Sequence, residues 1–304
     1  MFNTDKQKAI PPFHTPVLTT EVINYLNIEK NKTYVDCTLG NGGQSLEILK
    51  ILNGTGKLIG LDKDKECIEI AKERLKEFKN CYIYLYHANF LDLKKYLNEL
   101  NIQKITGGIV LDLGTNSGQL ENPERGFSFK SEGPLDMRMD NTHGLTAHQV
   151  VNNYNESKLA DIIYKYGEER YSRKIARSIT SYKTKYGPIQ TTKQLANIIL
   201  NCYPKNKFYK IHPATRTFQA IRIEVNNELE NLENFLRISG ELLEVKSRLT
   251  VISFHSLEDR IVKNFLKNNG KFRVLTKKPI TPSCEEVKNN PRSRSAKLRA
   301  AERI

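Results

Sequence analysis

Long apolar runs are missing from this 304-residue chain. No segment approaches the ~20 residues of a membrane-spanning helix, and Met1 to Pro12 has no apolar signal-peptide core and reads as a loose leader. Cysteine is scarce as well. The five present (Cys37, Cys67, Cys81, Cys202 and Cys284) are odd in number and include no Cys-x-x-Cys pair, which points to a reducing compartment and to no zinc site. A soluble, cytoplasmic protein without a metal is expected. No Gly-x-x-x-x-Gly-Lys loop is present for a nucleoside triphosphate. Nor is there a Gly-x-Ser-x-Gly elbow, and His255, Ser256 and Asp259 fall within one helical turn, too close in sequence to point at each other as a hydrolase triad. Acidic residues are in deficit: 34 Asp and Glu stand against 48 Lys and Arg, a formal charge of +14. An excess of that size favours a polyanionic partner, RNA or DNA before a membrane surface.

What is present is organised around Tyr34-Val35-Asp36-Cys37-Thr38-Leu39-Gly40-Asn41-Gly42-Gly43-Gln44-Ser45. An apolar run ends in an acid, passes three glycines, and opens into Leu46, Leu49 and Leu52 at helical spacing, the order of strand, tight loop and helix. Glycines suit a sharp turn that approaches a ligand, and the helix start beyond them presents unpaired N–H groups. Lys57 to Asp62 is a second apolar run ending in a carboxylate, about twenty residues on, where a βαβ unit sets an acid against ribose hydroxyls. A dinucleotide fingerprint counted from Gly40 wants its third glycine at Ser45. Asp36 tips the choice: an acid just before the glycines resembles the first motif of Rossmann-like methyltransferases.

Along the chain, Val22, Ile23 and Leu26 mark a helix capped at Thr19 or Thr20, and Ile68, Ala71, Leu75 and Phe78 mark another. Cys81 to Tyr86 is β-rich, Leu93 to Leu100 helical, and Gly107 to Asp112 a fourth strand. The first 112 residues therefore alternate β and α, the pattern of an open parallel sheet with helices on both faces. Asp36, Asp62, Phe90 and Asp112 all fall at strand ends, where such sheets bind ligands. After Asp112 the strands stop. Helical spacing returns from about Leu145 to Tyr203, a helical insertion whose Arg173, Lys174 and Arg177 form a basic stretch. Phe218 to Leu236 reads as one long apolar-striped helix, Arg248 to Phe254 as a returning strand, and Ser256 as the start of a helix with Asp259 reaching back to it. Asn290 to Arg299 is strongly basic, either a disordered tail or a phosphate contact.

The chain resembles the bacterial 16S rRNA cytosine-N4-methyltransferase family (RsmH, also called MraW). The likeness runs from His14-Thr15-Pro16-Val17-Leu18 through the Asp36 loop, Asp112-Leu113-Gly114, Arg125 to Phe129, Gly133 to Asp140 and Tyr166 to Arg170. It continues in His212 to Arg222, Ser253 to Asp259 and Asn290 to Arg299. The resemblance implies an α/β, Rossmann-like class I methyltransferase core over residues 1–137 and 213–304, interrupted by a helical substrate-recognition domain over 138–212. It implies methyl transfer from S-adenosylmethionine to N4 of a cytidine in the decoding centre of 16S rRNA, within the small ribosomal subunit, and leaves a homodimer open. By the family's motifs, Gly42, Gly43, Gln44, Asp62, Phe90, Asp112 and Gln119 hold the methyl donor. Where members usually carry His, Ser and Pro, this chain has Gln44, Asn116 and Gly118, which predicts a side chain without a titratable proton and a more flexible loop after Asp112.

An exocyclic amine delocalises its lone pair into the ring, so its methylation wants a hydrogen-bond acceptor for N4–H and in-line placement of the nitrogen. Asp112, Asn116 and Ser117 are the candidate catalytic residues on that ground, with Phe127 or Phe129 as a stacking surface for a base turned out of its helix. Two other classes share parts of the pattern. A dinucleotide-dependent oxidoreductase has the same βαβ unit but no use for the basic charge. A non-catalytic rRNA-binding or ribosome-assembly factor accounts for the charge and for the departures at Gln44 and Asn116.

Overall fold

The apolar runs that end in a carboxylate fold as strands, and they lie side by side. The computed structural model describes residues 16–204 and 207–304. Within it β1 Thr33–Asp36, β2 Lys57–Asp62, β3 Tyr82–His87, β4 Gly108–Asp112, β5 Arg248–Ser253, β6 Phe272–Val274 and β7 Lys297–Arg303 form one sheet. Their order is β3-β2-β1-β4-β5-β7-β6. Strands β1 to β5 run parallel, with Tyr34 level with Leu58 on one side and with Gly108 on the other, while β7 is antiparallel to both β5 and β6. The sheet is mostly parallel and Rossmann-like in its order. The leader at 1–12 and the pair His14-Thr15 lie outside the described residues.

The helices are α1 Thr19–Leu26, α2 Gly43–Leu52, α3 Lys65–Leu75, α4 Leu93–Glu99, α5 Ser117–Glu121, α6 Ala147–Asn153 and α7 Glu156–Gly167. After them come α8 Ser172–Tyr186, α9 Thr192–Leu200, α10 Ala214–Asn226, α11 Glu228–Leu242, α12 Ser256–Asn268 and α13 Cys284–Asn289. Successive strand residues point to opposite faces of the sheet, and both faces are covered. Val35, Ile59, Ile109 and Leu111 pack with Leu93, Leu97, Leu232, Phe235 and Leu236 of α4 and α11. Tyr34, Leu58 and Val110 pack with Val22, Leu26, Ile48 and Leu49 of α1 and α2. Double coverage is why these strands read as unbroken apolar runs rather than as alternation.

Helices α6 to α10 have a core of their own, which runs from Phe127 to Val225 and so extends past both ends of the 138–212 segment. It does so because α10 contributes Ala214, Phe218 and Ile221 to it. Helices α7 and α10 cross so closely that a Cβ on Gly167 would stand 2.7 Å from the Arg216 carbonyl oxygen.

Four local expectations are corrected. The apolar stripe from Phe218 to Leu236 is two helices, because Asn227 adopts φ 51° and closes α10. Asn226 anchors that break, its Nδ2 donating to the Met137 carbonyl (2.8 Å) and its Oδ1 accepting from Met139 N–H (2.8 Å). Helix α12 is capped by His255, whose ring accepts from Glu258 N–H while the Glu258 carboxylate accepts from Phe254 and His255 N–H groups. Asp259 turns away from the helix start to Arg299 (2.6 Å) and Lys297 (3.4 Å). The basic stretch Asn290 to Arg299 is no tail: it forms a 3-10 turn and then the first residues of β7, Lys297 to Arg299, inside the sheet. Helix α1 starts from Leu18 at φ 52° without a side-chain cap, in place of the expected threonine.

One buried carboxylate ties the sheet to the helical unit. Asp64 caps α3 by accepting from Glu66 N–H (3.0 Å), and its Oδ2 accepts from Gln119 Nε2 (2.8 Å) and Arg125 Nη1 (2.7 Å). Arg125 in turn donates to the carbonyls of Arg138 (3.1 Å) and Met139 (2.8 Å). Both charged side chains are almost fully buried. Removing one partner of such a pair strands the other, so Arg125→Met is expected to lower stability by about 3–5 kcal/mol in urea unfolding. A loss below about 1 kcal/mol would mean that Gln119 and the α3 amides satisfy Asp64 unaided.

Candidate active site

Strand β1 has β2 on one side and β4 on the other, so the chain leaves it in both directions. Parallel sheets bind ligands beyond the strand ends at such a switch point. A cleft of about 490 Å³ opens there, and Gly43, Gln44, Asp62, Phe90, Asp112, Asn116, Ser117 and Gln119 all line it. Gly42 stands behind this wall, its Cα facing Ala71 and Leu75 of α3. What demands glycine there is its φ of 75° at the start of α2.

The wall is held by backbone donors. Asp62 accepts from Gly40 N–H (2.7 Å) and from Asp64 N–H (2.8 Å), which locks the glycine loop to the end of β2. Asp36 accepts from the Ser45 hydroxyl (2.8 Å) and from Thr38 N–H (3.3 Å). The Thr38 hydroxyl accepts from Asp112 N–H (2.6 Å), joining the ends of β1 and β4. Gln44 Nε2 donates to the Val17 carbonyl (2.9 Å) and so pins the segment before α1 to the loop. Phe90 is buried edge-on against Phe235, with ring centroids 5.2 Å apart, and presents one side to the cleft.

Asn116 caps α5 and Gly118 lies in its first turn. The Asn116 side chain accepts from Gln119 N–H (2.8 Å) and Gln119 Oε1 accepts from Asn116 N–H (3.2 Å), a capping box that starts α5. The Asn116 amide also donates to Cys67 Sγ (2.9 Å). Gln119 is thus spent on Asn116 and Asp64, and the Ser117 hydroxyl accepts from Arg292. Phe127 and Phe129 lie in the helical core instead of the cleft: Phe127 is 7% exposed, and Phe129 stacks on His212 at 4.5 Å. Residues the sequence did not assign reach the cleft from elsewhere, among them Arg222, Glu228, Phe254, Glu258 and Arg292.

Asp62 and Asp112 line the cleft and Asp36 is buried at the end of β1; burial pushes Asp36 to about 6, Asp62 to about 6 and Asp112 to about 8, the last raised further by the Asp36 charge. The oxygens of Asp36 and Asp62 have neutral partners, while Asp112 Oδ1 and Gln44 Oε1 are buried acceptors with no partner. Such a site suits a cationic ligand with N–H donors. S-adenosylmethionine fits on both counts, with its sulfonium, its ammonium and two ribose hydroxyls. Asp62 would accept from the hydroxyls, Asp112 and Gln44 would face the amino-acid end, and Phe90 would flank the adenine.

The chain is similar to known proteins along nearly its whole length. The model of the MraW methylase family matches residues 12–304. Ribosomal RNA small subunit methyltransferase H of Sulfurihydrogenibium sp. (strain YO3AOP1) is 52% identical over 295 residues, 96% of this chain and 99% of that one. The protein of the same name from Thermosipho africanus is 50% identical over 293 residues, 96% and 98% of the two chains. Among solved structures, an rRNA methylase from Streptococcus thermophilus is similar at a TM-score of 0.45 and 10% identity, covering 96% of this chain and 99% of that one. TrmN from Thermus thermophilus reaches 0.46 at 9% identity, covering 94% and 48%.

Two outcomes are expected. Asp62→Ala should weaken S-adenosylmethionine binding by about 1.5–3 kcal/mol, the scale of charge-assisted hydrogen bonds, and unchanged calorimetric affinity would remove Asp62 from the site. Binding should also release protons. Near pH 7 Asp112 is largely protonated in the free protein, and a cation beside it favours the carboxylate. Affinity should therefore rise with pH and level off above about 8, with a binding enthalpy that depends on the buffer's ionisation heat. For folding, pKa values raised above the ordinary ~3.9 contribute stability that is full at low pH. That stability of the free protein is lost as pH climbs through about 6 and then about 8. A buffer-independent enthalpy would show that Asp112 does not exchange its proton on binding.

Proposed function

The chain belongs to the MraW methylase family of S-adenosylmethionine-dependent methyltransferases, and from that premise we propose that it methylates small-subunit ribosomal RNA, at the exocyclic N4 of a cytidine in the decoding centre. The observation that carries this reading is Asp112 at the end of β4, which lines the cleft and whose Oδ1 is buried without a partner among the described residues. The names of the relatives support the RNA, and the excess of basic residues supports a polyanionic substrate.

When bound, S-adenosylmethionine supplies the methyl carbon, and its sulfur keeps the electron pair of the broken bond. Asp112 accepts a hydrogen bond from N4–H, which turns the nitrogen lone pair out of the ring and toward the methyl group, and it stands ready to take the proton that leaves N4. Asn116 and Ser117 act by holding the Asp112 turn in shape through the α5 cap and the Arg292 contact. No thiol takes part. Cys37 lines the cleft, but burial pushes its thiol well above the ordinary value, and Cys67 is pushed up by burial in the same way. Neither supplies the thiolate that methylation of a ring carbon uses.

The helical unit between β4 and β5 serves as the RNA-recognition domain in this reading. Its α8 presents Arg173, Lys174 and Arg177 to solvent. Neutralising these three should weaken rRNA binding and flatten the slope of log affinity against log salt, by up to about one for each phosphate left without its cation. An unaltered slope would move the RNA surface off α8. The function itself is tested by mass mapping of methylated cytidines in 16S rRNA from cells with and without the gene. An N4-methylcytidine present only with the gene is the expected result; rRNA identical in both would favour a non-catalytic rRNA-binding factor.

A further inference from the structure

The cleft is also lined by Met139, Thr215, Arg222, Glu228, Phe254 and Glu258, to none of which the reading above assigns the methyl donor. Its most constrained member is Arg222. The side chain is 17% exposed, and Glu228 grips it bidentately, Nε to Oε1 and Nη2 to Oε2, both at 2.7 Å. This grip depends on the break at Asn227, which folds the first residue of α11 back under the last turn of α10. A guanidinium has five N–H donors in one plane. Glu228 fixes that plane and leaves the Nη1 amino group with no protein partner among the described residues. The result is a rigid pair of donors at the wall of the cleft.

We propose that Arg222 is the specificity-determining residue for the base, donating from Nη1 to N3 and O2 of the target cytosine. The inference rests on the cytidine reading above. With N4 committed to Asp112, the two polar atoms left on that edge of cytosine are both acceptors. Uracil carries N3–H at the central position and a carbonyl where the amine should be, so it would set a donor against the guanidinium. A buried donor pair held by a carboxylate cannot swing aside to accommodate that mismatch. Arg222 thus selects the base by its Watson–Crick edge, and Phe254 on the same wall lies beside it.

The test is a double-mutant cycle on rRNA whose target is either cytidine or 3-deazacytidine, in which a C–H replaces the N3 acceptor. Wild-type protein should methylate the deaza target about ten- to a hundredfold less efficiently in kcat/KM. Arg222→Met should lose a similar factor on cytidine yet be nearly indifferent to the deaza change. The cycle cancels the altered reactivity of the deaza amine, because both proteins meet it. Thermal unfolding and S-adenosylmethionine calorimetry establish that the variant is folded and binds its donor. Should Arg222→Met not fold, Arg222→Lys, which keeps the charge and loses the planar fork, carries the same cycle. Equal deaza effects in wild type and variant would overturn the role of Arg222, as would a uniform loss on both targets, the mark of a phosphate contact. Failure of the cytidine reading looks different: wild-type protein would then methylate neither target.

Discussion

The buried pair of Asp64 and Arg125 is the joint on which the rest of the molecule depends. Asp64 caps α3, and its own N–H holds one oxygen of Asp62. The other Asp62 oxygen holds Gly40. Arg125 reaches the opposite way, to the carbonyls at 138 and 139 that lead into the helical unit. One carboxylate thus sets Asp62, the glycine loop and the entry to the helices at once. A buried ion pair is a weak source of net stability, but it is intolerant of any arrangement that separates its members. Here that intolerance fixes where the helical unit begins relative to the cleft.

An exposed contact also ties the helical unit to α12. Glu168, at φ 47° after α7, accepts from Ser256 (2.6 Å) and Arg260 (2.9 Å) of α12, and its carbonyl accepts from Arg216 (3.0 Å). Lys63, next to Asp62, donates to the Asn226 carbonyl (3.3 Å) at the end of α10. The sheet and the helices therefore share walls: Met139, Thr215 and Arg222 belong to the helical side yet face the same cleft as Gly43 and Asp112. Substrate and methyl donor would meet at a seam, so a shift of the helical unit alters both subsites together.

Much of this was legible in the sequence, for a physical reason. Strands buried on both faces must be apolar throughout, and a ligand site at their ends draws acids and glycines to fixed places; hence β1, β2, β4 and β5 and the acids at Asp36, Asp62 and Asp112 could be read directly. Strand β7 could not, because Lys297, Arg299 and Arg303 look like a solvated tail until Asp259, the Gly240 carbonyl and other long-range partners satisfy them. The break at Asn227 was hidden because the apolar spacing continues across it. Arg222 and Glu228 were invisible as a pair for the same reason: on one continuous helix, residues six apart would not face each other. What escaped in each case was a long-range or break-dependent contact, which periodicity does not record.

The place of the helical unit in the chain has a consequence for how the protein folds. Strand β5 pairs with β4 across a long interval; the Thr250 hydroxyl, for example, donates to the Ile109 carbonyl 141 residues away. Closing so long a loop is entropically unfavourable and slow. Helices α6 to α10 have a core that they complete among themselves, from Phe127 to Val225. Once that unit has formed, the effective loop between β4 and β5 is short. Strand β7 then has to enter between β5 and β6, antiparallel to both, so β5 carries an open edge until the last part of the sequence is made. The slowest and most aggregation-prone stage of synthesis therefore falls after β5 has docked and before Lys297–Arg303 emerges.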